Sequence, residues 1–214
     1  ANQFHYYNTL MSADWVYCHN YNDIFYYQGL GCNDVRVMRS LMIPEGLIPR
    51  NEWGDVTMIG GNFVSWYGGF DSYIVAREIG DPISAPSMGR KQEQEDAIED
   101  IQYLPYMNWR EWINCLSQFN IGVHLMRTHA AGTFAMNCAF HGIPCVGYMG
   151  LDTQEICHPL TSVEVGDLET AKEMALRLKT DDEFYKSCSE TSLKRFETHY
   201  TEETWLENWN TQWN

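Results

Sequence analysis

From Asp55 onward, short apolar runs alternate with amphipathic stretches, the order that builds a mainly parallel sheet with helices on both faces. Val56-Thr-Met-Ile59 reads as a first strand, ending in Gly60-Gly61-Asn62. Phe70 to Ile79 has helical spacing, and Asp81 to Ser87 reads as a second strand closed by Gly89-Arg90-Lys91. The charged stretch Gln92 to Asp100 fits either a helix or a loop. A third strand, Ile101 to Leu104, runs into Pro105-Tyr-Met-Asn108, and behind it Trp109, Trp112, Ile113 and Leu116 recur on one helix face. Apolar strands at Ile121 to Met126 and Pro144 to Tyr148 bracket a segment, Arg127 to Gly147, that holds a glycine turn, a short helix and a Gly142-Ile-Pro144 turn. Leu151 to Val165 reads as a loop with a short sixth strand. Asp167 is placed to cap a helix through about Lys179, and helices follow at Asp182 to Glu197 and Glu202 to Trp213. Trp205, Trp209 and Trp213 form a stripe on the last helix, expected to pack against the parent domain.

Residues 1–50 follow a different pattern. Asp14 to Cys18 reads as a strand, Asn22 to Leu30 as a helix and Val35 to Met38 as a strand, with a linker from Pro44 to Pro49. This is the pattern of the end of a preceding α/β domain, and it divides the chain into 1–50 and a main domain at 51–214. A chain opening on an unfinished unit is expected to lack an amino-terminal domain.

Composition narrows the chemistry. A hydrophobic content of 44% suits a packed core. The formal charge of −15, with only 14 Lys plus Arg, excludes a nucleic-acid binder, which needs a basic face. An anionic ligand would have to be held locally, by helix N-termini and one or two arginines. Seven cysteines without a Cys-x-x-Cys pair read as buried free thiols in a reducing compartment. With no run of ~20 apolar residues and no signal-peptide pattern, the expected location is the cytoplasm. His124, alternating with Val123 and Leu125, reads as a core histidine, and His141 and His158 lack partners at metal spacing, so no metal site is expected.

The strongest chemical signal lies between the fourth and fifth strands. His129 to Gly132 falls where the sheet meets the start of a helix, and backbone N–H groups at such a place are unpaired and attract anions. Gly132-Thr133, Asn137 and Gly142-Ile-Pro144 stand in a register that resembles the carboxyl-terminal, donor-binding half of GT-B glycosyltransferases of the group 1 retaining type. That family carries two glutamates eight positions apart with a glycine between them and a Gly-x-Pro five residues past the second. His129 and Asn137 stand at the two glutamate positions and Gly132 at the glycine. Histidine at the first position is also similar to inverting plant-type glycosyltransferases. Asp152-Thr-Gln154 is similar to their Asp-Gln pair, although as residues both read as loop polar groups.

The resemblance implies a Rossmann-like, doubly wound α/β domain, one half of a GT-B fold, that binds a nucleoside-diphosphate sugar as donor substrate and needs no cofactor. By the same resemblance Asn137 faces the ribose, His129 the donor sugar, and Gly132 and Thr133 the phosphates. Gly60, Gly61 and Asn62 stand at the glycine turn beside the diphosphate, and Tyr106 and Met107 in the loop that reads the base. The arginine and lysine usual near that turn are absent, leaving Arg127, Arg90 and Lys91 as candidates to replace them. No catalytic group is identified, the acceptor is unknown, and retention or inversion stays open. Two alternatives stand beside a glycosyltransferase: an inactive nucleotide-binding homologue or scaffold, and a nucleotide-sugar epimerase of the same fold.

Overall fold

The computed structural model describes residues 2–50, 54–64, 66–86 and 93–213, without the side chains of Gln94 and Trp213. Arg90 and Lys91 therefore lie outside the described residues. The chain begins with a helix the hydrophobic pattern does not signal, α1 (Gln3–Ser12), because none of its residues is buried; Asn2 caps it by accepting from the Phe4 N–H. β1 (Val16–Cys18), α2 (Asp23–Gly29) and β2 (Val35–Val37) then form a parallel strand pair with a crossover helix, Val16 opposite Val35.

The main sheet has six parallel strands: β3 (Thr57–Ile59), β4 (Ile83–Ala85), β5 (Ile101–Tyr103), β6 (Ile121–His124), β7 (Cys145–Tyr148) and β8 (Ser162–Val163). Their spatial order is β5-β4-β3-β6-β7-β8, so the winding reverses between β3 and β6 and a crevice opens there at the carboxyl ends. This is a Rossmann-like α/β fold. The helices are α3 (Gly69–Ile79), α4 (Trp109–Leu116), α5 (Thr133–Phe140), α6 (Asp152–Cys157), α7 (Leu168–Thr180), α8 (Asp182–His199) and α9 (Glu202–Trp213), with a short 3-10 turn at Glu93–Ala97.

Strand side chains alternate between two cores, one on each face. Ile59 and Val146 enter the core shared with Val75 and Ile79 of α3 and Ala171 and Ala175 of α7. Their neighbours Met58 and Cys145 enter the opposite core, with Ile113 and Leu116 of α4, Met136 and Cys138 of α5 and Phe196 of α8. Because both faces are covered, the strands are buried throughout their length except for parts of β5 and β8.

Two expectations need correction. Residues after Leu151 form α6 rather than a loop. Of its three buried positions only Cys157 is apolar; Thr153 and Gln154 are polar and donate to the Gly132 and Cys145 carbonyls, so little apolar periodicity marks it. Trp205 and Trp209 of the α9 stripe pack on the segment that carries β1 and β2. Trp209 stacks on Tyr17 at 6.0 Å and on Trp205 at 5.3 Å, and Trp205 Nε1 donates to the Arg39 carbonyl. The expected Asp167 cap is present, accepting from the Thr170 N–H. The seven cysteines are free thiols, all but Cys115 buried. Among the described residues no helix is long and apolar enough to cross a membrane.

Candidate functional site

A cavity of about 520 Å³ opens at the carboxyl edge of the sheet, at the reversal between β3 and β6. Its wall is assembled from the loops that leave successive strands. Gly61 and Tyr67 follow β3, Pro86 follows β4, and Pro105, Tyr106 and Met107 follow β5, with Trp112 one turn into α4. His124 ends β6, Met126 and Ala130 to Gly132 lead to α5, and Thr133, Phe134 and Asn137 of α5 complete the wall.

Local chemistry fixes each of these segments. The Pro105–Met107 loop is anchored by the start of α4, where Asn108 Oδ1 accepts from the Glu111 N–H at 3.1 Å and Glu111 accepts from the Asn108 N–H at 2.9 Å. Gly132 takes a left-handed backbone, φ 61°, and a Cβ there would collide with Thr153 Oγ1, so only glycine fits. Gly132, the N-cap of α5, has no side chain to offer, and among the described residues no side chain accepts from the helix's first N–H groups at the cavity wall.

Two buried polar side chains in the wall have unpaired atoms. Asn137 is 3% exposed and its Oδ1 has no hydrogen-bond partner. His124 is buried edge-on to Phe134, ring centroids 5.3 Å apart, and its Nε2 has no partner. Burial pushes the His124 pKa down to about 4, so the ring is neutral at pH 7. Among the described residues that line it there is no Asp, Glu, Lys or Arg, in a chain of net charge −15. The described part of the wall can therefore admit an anion, and it offers backbone N–H groups to hold one.

Of the residues singled out in the sequence, Gly61, Tyr106, Met107, Gly132, Thr133 and Asn137 meet at this cavity. Gly60 backs it: a Cβ there would press on the rings of His124 and Phe134 at 2.7 and 2.8 Å. Asn62 lies outside the wall and shapes the turn, its Oδ1 accepting from the Val64 N–H at 3.2 Å. Arg127 is also outside it, paired with Asp71 at 2.8 Å beside the Tyr148 ring. His129 lies outside too, its Nδ1 2.8 Å from Asp23 Oδ1. Asp152 serves the amino-terminal unit, accepting from the Tyr21 N–H.

Sequence reasoning did not single out Tyr67, Trp112 or Phe134 as site residues, and it read His124 as a core histidine; the structure buries His124 and also sets it in the cavity wall. The signal that could have found His124 is its position: it is the last residue of a strand on the edge where such folds bind ligands. No group of three or more His, Cys, Asp or Glu among the described residues is placed to hold a metal ion.

No family model matches the sequence, and no curated protein matches it. Solved structures do match. Sucrose-phosphate synthase from Thermosynechococcus elongatus superposes with a TM-score of 0.74 at 13% identity, over 97% of this chain and 59% of that one. S. aureus TarM, in complex with fondaparinux, α-GlcNAc-glycerol and UDP, gives 0.77 at 11%, over 99% and 46%. Anabaena HepE in complex with UDP and glucose gives 0.78 at 9%, over 95% and 64%. The chain thus spans about half to two thirds of the length of the structures it matches. These are GT-B glycosyltransferases, and in fold the chain is a Rossmann-like α/β unit of their type.

Proposed function

We propose that the chain is the donor-binding portion of a glycosyltransferase and takes a nucleoside-diphosphate sugar into the cavity at the β3–β6 reversal. The observation that carries this reading is a helix N-terminus without a side-chain cap opening on a cavity whose described lining holds no carboxylate, in a strongly acidic chain. In this reading the base lies against Pro105–Met107 and Trp112, and the amide of Asn137 pairs with ribose hydroxyls. The diphosphate meets the N–H groups that open α5, which stabilise the charge building on it as the glycosidic bond breaks. HepE and TarM carry UDP in their solved complexes, which supports UDP as the first nucleotide to try. Residues 1–50 would end a preceding domain that supplies the acceptor site and any general base.

Calorimetric titration with UDP, GDP, ADP and their sugars tests the reading. One of them should bind with a dissociation constant below about 1 mM. Asn137→Ala and Tyr106→Ala should each weaken it several-fold, roughly the worth of one hydrogen bond or one stacking contact. Absence of binding by all three nucleotides at millimolar concentration sinks the donor assignment; binding indifferent to both substitutions places the ligand elsewhere.

A further inference from the structure

The loop that enters α5 is held by its carbonyl oxygens. Ala130 O accepts from Asn20 Nδ2 at 2.9 Å, Ala131 O from Ser40 Oγ at 3.3 Å and Gly132 O from Thr153 Oγ1 at 2.7 Å. The carbonyls are consecutive, and none of the donor side chains lines the cavity, although Ala130, Ala131 and Gly132 all do. Asn20 is 1% exposed and fully used: its second amide hydrogen goes to Asp23 Oδ2 at 2.8 Å, and its Oδ1 accepts from the Asp152 N–H at 2.9 Å. Asp23 in turn holds His129, at the start of the same loop, through its other oxygen.

A peptide loop presents both carbonyls and N–H groups, and a carbonyl turned toward a phosphate oxygen repels it. We propose that Asn20, Ser40 and Thr153 are positioning residues that peg these carbonyls away from the cavity, so that a nucleoside diphosphate meets N–H groups there. The proposal rests on the donor reading above and extends it to residues that never touch the ligand. Two of the pegs, Asn20 and Ser40, belong to the segment around the β1–β2 unit, so the diphosphate site is completed by the amino-terminal part of the chain. This also gives His129 a role: through Asp23 it fastens the loop rather than meeting a sugar.

Ser40→Ala and Thr153→Val each remove one hydroxyl from the full chain. The test compares the tightest-binding of UDP, GDP and ADP with its own nucleoside. Losing a peg should weaken the diphosphate roughly tenfold and the nucleoside less than about twofold, because the base and ribose contacts stay in place. Thr153→Ser, which keeps the hydroxyl, should retain the wild-type affinity for the diphosphate. Hydrogen exchange of the amides from Ala131 to Phe134 should quicken in Ser40→Ala and Thr153→Val. Equal losses for nucleotide and nucleoside, no loss at all, or unchanged exchange overturns the proposal. A wild type that binds no nucleotide removes the donor reading and this proposal with it, a result distinct from the others.

Discussion

His124 and His158 enter the interior as neutral rings. Burial pushes both pKa values down from 6.5 to about 4; at His158 the bond from Nε2 to the Ala135 carbonyl opposes the shift without cancelling it. Burial lowers the His141 pKa as well, while its Nε2 bonds the Ile113 carbonyl. As pH falls through 6.5 toward 4, the unfolded chain takes up protons that the folded chain refuses. The stability these groups contribute is full above that window and is lost on descending through it. Denaturation at pH 7 and at about pH 5.5, where most carboxylates are still ionised, should show a fall on the order of 2 kcal/mol. A flat profile would mean the rings are reached by water. At this scale some of the site was legible. Gly132 and Asn137 follow from spacing along one loop and helix, whereas the fates of Arg127 and His129 do not. Their partners Asp71 and Asp23 lie 56 and 106 residues away, and no local pattern announces a pair so distant in sequence.

Among the elements, long amphipathic helices and wholly apolar strands were legible because burial imposes their period. α6 was not, since two of its three inward side chains, Thr153 and Gln154, are polar and donate to carbonyls of other elements. α9 was legible as a helix but not in its docking, because a tryptophan stripe records that a surface is buried and not which one. Its contacts give a prediction. Trp209 lies between Tyr17 and Trp205, so Trp209→Ala should cost about 2 kcal/mol and loosen the attachment of α9. Limited proteolysis should then cut within Glu202–Trp213 while the main sheet stays protected. Cleavage no faster than in the wild type would show that the stack contributes little.

For the whole molecule, charge and site pull in opposite directions. A chain at −15 repels a nucleotide at long range, and the described residues of the cavity wall include no Lys or Arg to offset that. Raising ionic strength from about 0.01 to 0.15 M screens the repulsion. UDP affinity should therefore hold steady or rise. A marked fall would point instead to a cationic clamp, for which Arg90 and Lys91 are the candidates near the mouth in sequence.

The clasp of α9 on the β1–β2 unit also has a bearing on how the protein is made. A two-stranded sheet is marginal alone. The groups that complete this one come from the far end of the chain: Gln212 Nε2 donates to the Val37 carbonyl across 175 residues, and Trp205 to Arg39 across 166. On a ribosome the β1–β2 unit emerges before α9 and must wait for it, while the six-stranded sheet can assemble between them. Closing so long a loop is slow, and it comes within reach only once α9 has been made. Because Asn20 and Ser40 belong to the segment that waits, the loop that enters α5 gains two of its three carbonyl partners only after α9 has docked.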